Sequence, residues 1–414
     1  MTFFERVKWR ALVLPGLLAW VGTGTVAAQG FGNPLRQLLH RDTAGLGRVL
    51  ARPAVYHLQI LYTRIRRDAA GAPHFRSFGY RLRPREYFYP ASTVKLPTAA
   101  LALARVRALG IQIPGLTADS PMLTDSAFAG QARVRRDTSA AGGRPTVANY
   151  VRRVLLVSDN DAFNRLYEFV GPGGLNAGLR RLRLRHSRIV SRLSVGDAPP
   201  NSLHTNPVVF CADTACRRLL YQQPAAYWPG PVPHWRLRGT ALGRARIEAG
   251  ALVPGPLDLS EKNIFPLRDQ QRALRAILFP ETRPAHRLAL APADFALLRA
   301  ALSEAPRLSA YPRYNAAQYP DTYAKFLLGG GGQAVLPPGV QMYNKIGQAY
   351  GFLIDNAYVT DSARGVEFLL SAVVYVNADG VLNDDKYGYD GIGFPFLREL
   401  GQRVYEAECR RERP

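Results

Sequence analysis

Residues 340–377, VQMYNKIGQAYGFLIDNAYVTDSARGVEFLLSAVVYVN, decide the fold because they contain three successive strand patterns. The patterns cover Val340–Gln348, Gly351–Thr360 and Val366–Asn377. Segments of this length that are bounded by turn residues and enriched in aromatic and β-branched residues are typical of strands. A helix is predicted to follow from Phe394 to Glu408, with an apolar face of Leu397, Leu400, Val404 and Tyr405.

Two further strands are predicted near the other end of the chain. Their alternating residues are Tyr56, Leu58, Ile60 and Tyr62 in the first, and Phe78, Tyr80 and Leu82 in the second. A helix from Leu35 to Leu50 precedes them, and an Ala/Leu-rich helical block follows from Ser92. Strands at both ends with helices between them predict an α+β fold in which one sheet is assembled from both termini. The helical block then forms a second lobe, with a cleft where the two lobes meet.

The N-terminal segment has the features of an export signal. Arg6, Lys8 and Arg10 precede an apolar run from Ala11 to Ala28, and Val26 and Ala28 supply the small-residue pattern of a cleavage site. A membrane anchor is the alternative. We therefore expect residues 1–28 to be a signal peptide, residues 29–414 to form one catalytic domain with a diverged or inserted region at about 212–338, and the protein to be periplasmic or secreted.

The chain contains three cysteines and carries a net charge of +23. Two of the cysteines, Cys211 and Cys216, flank a short polar link that allows a disulfide across a tight turn, although three free cysteines are the alternative. The basic surface can contact anionic envelope polymers, although a compositional bias towards arginine is the alternative. The arginines are scattered and no nucleic-acid-binding motif is present, so no specific nucleic-acid partner is predicted. The isolated histidines predict no metal site and no cofactor.

Ser92-Thr93-Val94-Lys95 is the first candidate for catalysis, at the start of a predicted helix. A spacing of three residues places both side chains on one helical face, so the Lys95 amine can reach the Ser92 hydroxyl. A lysine is a poor base at its ordinary pKa of about 10.4. Desolvation, the positive helix end and a second cation, Lys345, all favour the neutral amine that can accept the serine proton.

Two later motifs complete the set. Ser158-Asp159-Asn160 lies between two amphipathic helices, where Ser158 can relay a proton and Asn160 can bind a substrate amide. A helix cap is the alternative for this turn. Lys345-Ile346-Gly347 lies in a predicted strand, where the lysine offers charge to a substrate carboxylate and the glycine permits close approach. A second Lys-x-Gly at Lys386 lies in an Asp/Gly-rich loop, so Lys345 is preferred.

In this order, the three motifs resemble the Ser-x-x-Lys, Ser-Asp-Asn and Lys-Thr-Gly set of class A β-lactamases and penicillin-binding proteins. The resemblance covers roughly 35–205 and 340–408. It implies a β-lactamase/transpeptidase-like fold, with an antiparallel sheet covered by terminal helices. It also implies that a β-lactam or a cell-wall peptide acylates Ser92, that Lys95 and Ser158 transfer protons, and that the backbone N–H groups of Ser92 and Gln348 bind the oxyanion.

Two departures from the family pattern bear on the activity. Position 346 is Ile where the family has Thr or Ser, which removes a hydroxyl contact to the substrate carboxylate. For the carboxylate that activates water in class A enzymes, the nearest equivalent is Asp197, four residues before Asn201. Turn chemistry is the alternative for Asp197. With Asp197 as base the chain is a serine β-lactamase. Without it, the alternatives are a D-Ala-D-Ala peptidase or penicillin-binding protein with slow deacylation, or an acylated sensor or binding protein.

Overall fold

The computed structural model describes residues 32–41, 45–128, 132–195 and 197–412. The predicted signal peptide, residues 1–28, lies outside these described residues. The eight helices of the described residues are α1 Pro34–Arg41, α2 Gly47–Ala51, α3 Lys95–Gln112, α4 Val147–Leu156, α5 Asn160–Arg181, α6 Leu267–Leu278, α7 Pro292–Ser303 and α8 Phe394–Cys409. No helix among the described residues has both the length and the apolar character needed to cross a bilayer.

The strands fall into one large sheet and several small ones. They are β1 Gln59–Arg67, β2 Pro73–Tyr80, β3 Met122–Thr124, β4 His204–Thr205, β5 Val208–Cys211, β6 Leu219–Gln223, β7 Ala226–Tyr227, β8 Ala241–Leu242, β9 Ala245–Glu248, β10 Ala251–Pro254, β11 Leu257–Asp258, β12 Val340–Ala349, β13 Phe352–Asp361, β14 Val366–Tyr375 and β15 Val381–Leu382. The large sheet has the order β12-β13-β14-β1-β2 and is antiparallel throughout.

This sheet confirms the predicted assembly from both chain ends. β1 pairs with β14, so that Tyr62 lies opposite Leu370 and the two terminal segments form one continuous surface. The α+β class predicted from the sequence is therefore the observed one.

Helices α1, α2 and α8 cover one face of the sheet. Their buried apolar side chains share a core with the inward residues of β1, β13 and β14; from α8 they include Leu397, Leu400 and Val404. The predicted helix over 35–50 is present as the two helices α1 and α2. Gly45, at φ 72°, lies between them in a conformation that a continuing helix does not allow.

The other face of the sheet packs against α6 and, beyond it, the helical lobe of α3, α4, α5 and α7. Leu274 and Ile277 of α6 are buried between the sheet and the lobe. Both α6 and α7 lie in the region of about 212–338 that is expected from the sequence to be diverged or inserted. Cys211, at the end of β5, forms a disulfide with Cys216, and Cys409 on α8 is free.

Candidate active site

Ser92 lies at the junction between the large sheet and the helical lobe. It belongs to a single 3₁₀ turn, Ala91–Val94, that leads directly into α3. Ala91 has a left-handed backbone, with φ 47°, which fixes the entry of the chain into this turn. On the sheet side, a Cβ added to Gly347 would lie 2.8 Å from the Pro90 carbonyl oxygen. The glycine of β12 therefore lets the strand pack against the turn that carries Ser92.

Lys95 is fully buried directly behind Ser92. Its Nζ lies 2.8 Å from Ser92 Oγ, 2.6 Å from Asn160 Oδ1 and 2.5 Å from the Ser158 carbonyl oxygen. Burial lowers the pKa of Lys95 well below its ordinary value, the Lys345 ammonium lowers it further, and Asp159 opposes both effects. A neutral amine at this distance can accept the proton of the Ser92 hydroxyl.

The three residues of the Ser-Asp-Asn turn make different contacts. The Asp159 carboxylate accepts a hydrogen bond from the Ala162 backbone N–H at 2.9 Å and so caps α5. Arg153 fixes the same carboxylate through an ion pair of 2.7 Å. Ser158, with φ 64°, and Asn160 are left facing Lys95. The capping interpretation therefore applies to Asp159, which holds the other two side chains in place.

Lys345 joins the late strand to this turn. Its Nζ donates to Ser158 Oγ at 2.8 Å and to the Ile346 carbonyl at 3.0 Å. The side chain is almost fully buried, and burial lowers the pKa of Lys345 to about 7; Asp355 opposes this shift and Lys325 adds to it. Lys345, and not Lys386, is therefore the lysine of a Lys-x-Gly sequence that contacts the Ser-Asp-Asn turn.

Three buried polar residues support β12 from the opposite face of the sheet. Lys325 donates to Asn344 Oδ1 at 2.6 Å, and Asn344 Nδ2 donates to Asp355 Oδ1 at 2.7 Å. Burial lowers the pKa of Lys325 to about 8 and raises the pKa of Asp355 to about 6. Each member has a hydrogen-bond partner, so the cluster holds β12 in a defined position.

A cavity of about 800 Å³ opens directly in front of Ser92. Its wall contains Ser92, Ser158, Asn160 and Gln348. The structure thus brings these four predicted residues to one cavity, with Lys95 and Lys345 hydrogen-bonded behind them. Gly347 does not line the cavity, because the Pro90 carbonyl occupies the space beside it.

Asp197 and Asn201, which are expected from the sequence to act beside the nucleophile, do not line this cavity. Asp197 Oδ2 accepts from Arg192 Nη1 at 2.6 Å, and Arg192 also pairs with the buried Glu168 at 2.9 Å. Asn201 is itself exposed and begins a 3₁₀ turn, Asn201–Leu203, whose other two residues are buried. The strong Arg192 ion pair therefore gives the Asp197 carboxylate a structural partner away from the cavity wall.

Ser194 takes a place in the cavity that the sequence does not reveal. It has a left-handed backbone, φ 60°, and its Oγ accepts a hydrogen bond of 2.7 Å from Asn160 Nδ2. No local motif marks this serine. The signal that identifies it is spatial, because Asn160 holds Lys95 with its carbonyl oxygen and Ser194 with its amide nitrogen.

The loop before α8 forms another part of the cavity wall that was not predicted. Asn383, Asp385, Tyr387 and Tyr389 all line it. The Tyr389 hydroxyl accepts a hydrogen bond of 2.9 Å from the Gly351 backbone N–H. This contact connects the loop to the β12–β13 hairpin. The Asp/Gly-rich segment around Lys386 therefore belongs to the cavity through its tyrosines and Asp385.

Comparison with known proteins agrees with the resemblance drawn from the motifs. The model of the Beta-lactamase enzyme family matches residues 76–218, the segment that contains Ser92, Lys95, Ser158 and Asn160. No curated protein matches the chain by sequence. The resemblance to penicillin-recognising serine hydrolases is thus confirmed over the part of the chain that carries the first two motifs.

Solved structures similar to this chain include two bacterial β-lactamases and the protein PBP-A. A β-lactamase from Desulfarculus baarsii DSM 2075 is 19% identical, with coverage of 87% of this chain and 97% of that one and a TM-score of 0.46. A β-lactamase from Xanthomonas campestris pv. campestris is 18% identical, with coverage of 90% and 97% and a TM-score of 0.48. A structure of PBP-A is 16% identical, with coverage of 90% and 94% and a TM-score of 0.44.

Proposed function

From the family match over residues 76–218, we propose that this protein is a serine hydrolase that opens β-lactams through an acyl-enzyme on Ser92. The observation that carries the proposal is the position of Lys95. A fully buried amine, whose charged form is disfavoured by burial and by Lys345, lies 2.8 Å from the Ser92 hydroxyl. That arrangement turns a weak nucleophile into a strong one.

This geometry supports acylation of Ser92 by way of a tetrahedral intermediate. Neutral Lys95 takes the proton of Ser92 Oγ as that oxygen attacks the carbonyl carbon of the substrate. The carbonyl oxygen becomes an oxyanion, which the backbone N–H groups of Ser92 and Gln348 stabilise. When the oxyanion collapses, the carbon–nitrogen bond breaks, and a proton passes from Lys95 through Ser158 to the leaving nitrogen. The 2.8 Å contact from Lys345 to Ser158 Oγ supports this relay.

Two side chains orient the substrate in the proposal. Asn160, held between Lys95 and Ser194, presents its amide to the substrate amide. The Lys345 ammonium attracts the substrate carboxylate, and Ile346 offers it no hydroxyl. Charge attraction is therefore the main source of affinity for an anionic substrate at this end of the cavity.

A second candidate, a D-Ala-D-Ala peptidase or penicillin-binding protein with slow deacylation, is favoured by the position of Asp197. Hydrolysis of the acyl-enzyme needs a base beside the attacking water. The Asp197 carboxylate is bound to Arg192, and the residue that faces Asn160 is Ser194, whose hydroxyl is a far weaker base than a carboxylate. These contacts favour an acyl-enzyme that persists, which suits a peptidase or an acylated binding protein.

Export is part of the proposal. A β-lactam or cell-wall peptide is met outside the cytoplasm, and the sequence of residues 1–28 has the pattern of a signal peptide. The Cys211–Cys216 disulfide fits a non-reducing compartment.

The test combines nitrocefin hydrolysis with the intact mass of the protein after exposure to benzylpenicillin. Rapid hydrolysis supports the β-lactamase, and a stable penicilloyl adduct with slow hydrolysis supports the peptidase or binding protein. Neither hydrolysis nor an adduct, from protein whose melting curve shows that it is folded, would contradict both.

A further inference from the structure

A trough on the protein surface joins three cavities that share no lining residue with the cavity at Ser92. We propose that this trough binds a single-chain anionic phospholipid, with the acyl chain at one end and the phosphate head group at the other. This proposal does not depend on the acylation of Ser92.

The first end of the trough is apolar. A cavity of about 480 Å³, here called the apolar cavity, has a largely apolar wall made by Tyr87, Phe88, Trp235, Leu237, Ile264 and Phe265 together with two prolines. Arg85, Glu86, His186 and Arg236 complete its lining. Its volume lies within the usual range of small-molecule sites, which is roughly 300–1,000 Å³. Water in such a cavity gains few hydrogen bonds, so a hydrocarbon chain that displaces it is favoured. The chemistry of this wall selects an alkyl chain.

The opposite end is strongly basic. A cavity of about 650 Å³, here called the arginine cavity, is lined by Arg36, Arg81, Arg83 and Arg268, and none of its lining residues is a carboxylate. Arg83 pairs with Glu86 at 3.6 Å, whereas the other three have no ion pair with any described residue. Arg81 Nε is buried and has no hydrogen-bond partner among the described residues. Such a group is satisfied by an anionic acceptor.

The fold brings these guanidinium groups together from three elements. Arg36 lies on α1, Arg81 follows the last residue of β2, and Arg268 lies in the first turn of α6. The start of α6 adds the partial positive charge of a helix N-terminus to the same end of the trough. Guanidinium groups bind phosphate oxygens in pairs of parallel hydrogen bonds, and the size of the cavity suits a phosphodiester head group better than a small carboxylate.

A small connecting cavity makes the two ends one site. It has a volume of about 120 Å³ and shares Arg83 and Arg268 with the arginine cavity. It shares Phe88, Glu86 and His186 with the apolar cavity. An amphiphile that lies along the trough therefore places its head group and its chain in matching environments at once.

Trp235 provides a direct test, because bromine atoms on an acyl chain quench tryptophan fluorescence only at short range. The probe is lysophosphatidylglycerol with a dibrominated C18 chain, added below its critical micelle concentration to the full-length protein. We expect saturable quenching that is retained in Trp228→Phe and lost in Trp235→Phe. Trp228 is a suitable control since it does not line the trough.

A second experiment tests the head-group end of the site. It removes arginine charge from the protein and, separately, compares two lipids that have the same acyl chain but different head-group charge. The double variant Arg81→Gln/Arg268→Gln should weaken binding about tenfold or more, as expected for the loss of charge-assisted hydrogen bonds. Arg217→Gln/Arg218→Gln, which removes the same charge from exposed arginines elsewhere, should leave binding unchanged. Zwitterionic lysophosphatidylcholine with the same chain should bind about tenfold more weakly.

Three results would overturn the proposal. They are the absence of saturable quenching, quenching that persists in Trp235→Phe, and equal affinity for the anionic and zwitterionic lipids. In each variant, acylation by benzylpenicillin reports separately on the cavity at Ser92, so failure of the lipid site is distinguishable from failure of the proposed function.

Discussion

The Lys345 ammonium donates to the Ser158 hydroxyl at 2.8 Å, and through this contact the large sheet meets the helical lobe beside the nucleophile. Ser158 also lies 3.3 Å from Lys95 Nζ, so one hydroxyl contacts both lysines. Because two ammonium groups this close repel each other, protonation of one disfavours protonation of the other. The acid–base behaviour of the site follows from this pair.

Replacement of Lys95 by arginine should abolish acylation although the charge is retained. A guanidinium does not lose its proton in a protein, so Ser92 would lack its base. We expect the acylation rate constant for benzylpenicillin to fall by roughly 10²–10⁴-fold, as is typical when a general base is lost. The rate is measured by quenched-flow mass spectrometry. Lys386→Arg, at an exposed loop position, is the matched control, and undiminished acylation in Lys95→Arg would show that another group is the base.

Acylation by a carboxylate-bearing β-lactam should depend on pH with a maximum. As pH rises, Lys95 loses its proton and becomes a base, which raises the rate. As pH rises through about 7, Lys345 loses its charge and its attraction for the substrate carboxylate, which lowers the rate. The two apparent pKa values belong to the coupled pair. The measurement is kcat/KM, or the second-order acylation rate constant, between pH 4 and pH 10.

Two controls test whether Lys345 causes the fall in rate at high pH. Lys345→Arg keeps its charge at high pH, so its alkaline limb should disappear. A methyl ester of the same β-lactam has no carboxylate and should also lack that limb. A falling limb near pH 7 that survives both changes would exclude Lys345 as its source.

Asp197→Asn should have little effect on hydrolysis of the acyl-enzyme. Its carboxylate is committed to Arg192, so we expect the deacylation rate constant to change by less than about threefold, against the roughly 10²–10⁴-fold loss expected for a general base. The rate is followed as decay of the penicilloyl adduct after excess β-lactam is removed. A loss of a hundredfold or more would restore Asp197 to the role expected from the sequence.

A carboxylate introduced at Ser194 should speed deacylation. Ser194 lines the same cavity as Ser92, and its hydroxyl lies beside Asn160. A carboxylate at this position in Ser194→Glu can therefore act as a base for water near the acylated serine. We expect acceleration by roughly 10²-fold. Ser194→Gln, of the same size but without a basic oxygen, is the control, and equal rates in the two variants would contradict the placement.

Arg192→Ala should destabilise the protein by about 3 kcal/mol or more, because it leaves Glu168 buried without its 2.9 Å partner. Burial already raises the pKa of Glu168, and Arg165 lies 3.9 Å away. Arg307→Ala breaks a pair with Asp321 in which both side chains are largely exposed, and should change the free energy of unfolding by roughly 0–1 kcal/mol. Denaturant unfolding measures the free energy of unfolding of both variants. Equal decreases would show that burial of the ion pair does not determine its contribution to stability.

The sequence predicts those parts of the site that local spacing determines. Ser92 and Lys95 are one helical turn apart, and Ser158 and Asn160 flank the residue that caps α5, so short-range geometry fixes each pair. Strand length and composition likewise place Lys345 on β12, and the order of strands and helices predicts one sheet assembled from both chain ends.

Contacts between segments distant in sequence were not predictable from spacing. Asp197 has the right separation from Asn201, but its carboxylate is held by Arg192, which also forms an ion pair with Glu168 on α5. Ser194 enters the cavity through a left-handed backbone and a hydrogen bond to a residue 34 positions earlier. The six short strands from β6 to β11 show no clear alternation in the sequence, because each is only two to five residues long and partly exposed.

The most direct test of the account is to locate the covalent adduct itself. After brief exposure to benzylpenicillin and acid quenching, peptide mapping by tandem mass spectrometry should find the penicilloyl group on Ser92, and Ser92→Ala should carry none. An adduct on a different residue, or one that forms equally in Ser92→Ala, would contradict the assignment of Ser92 as the nucleophile that Lys95 activates.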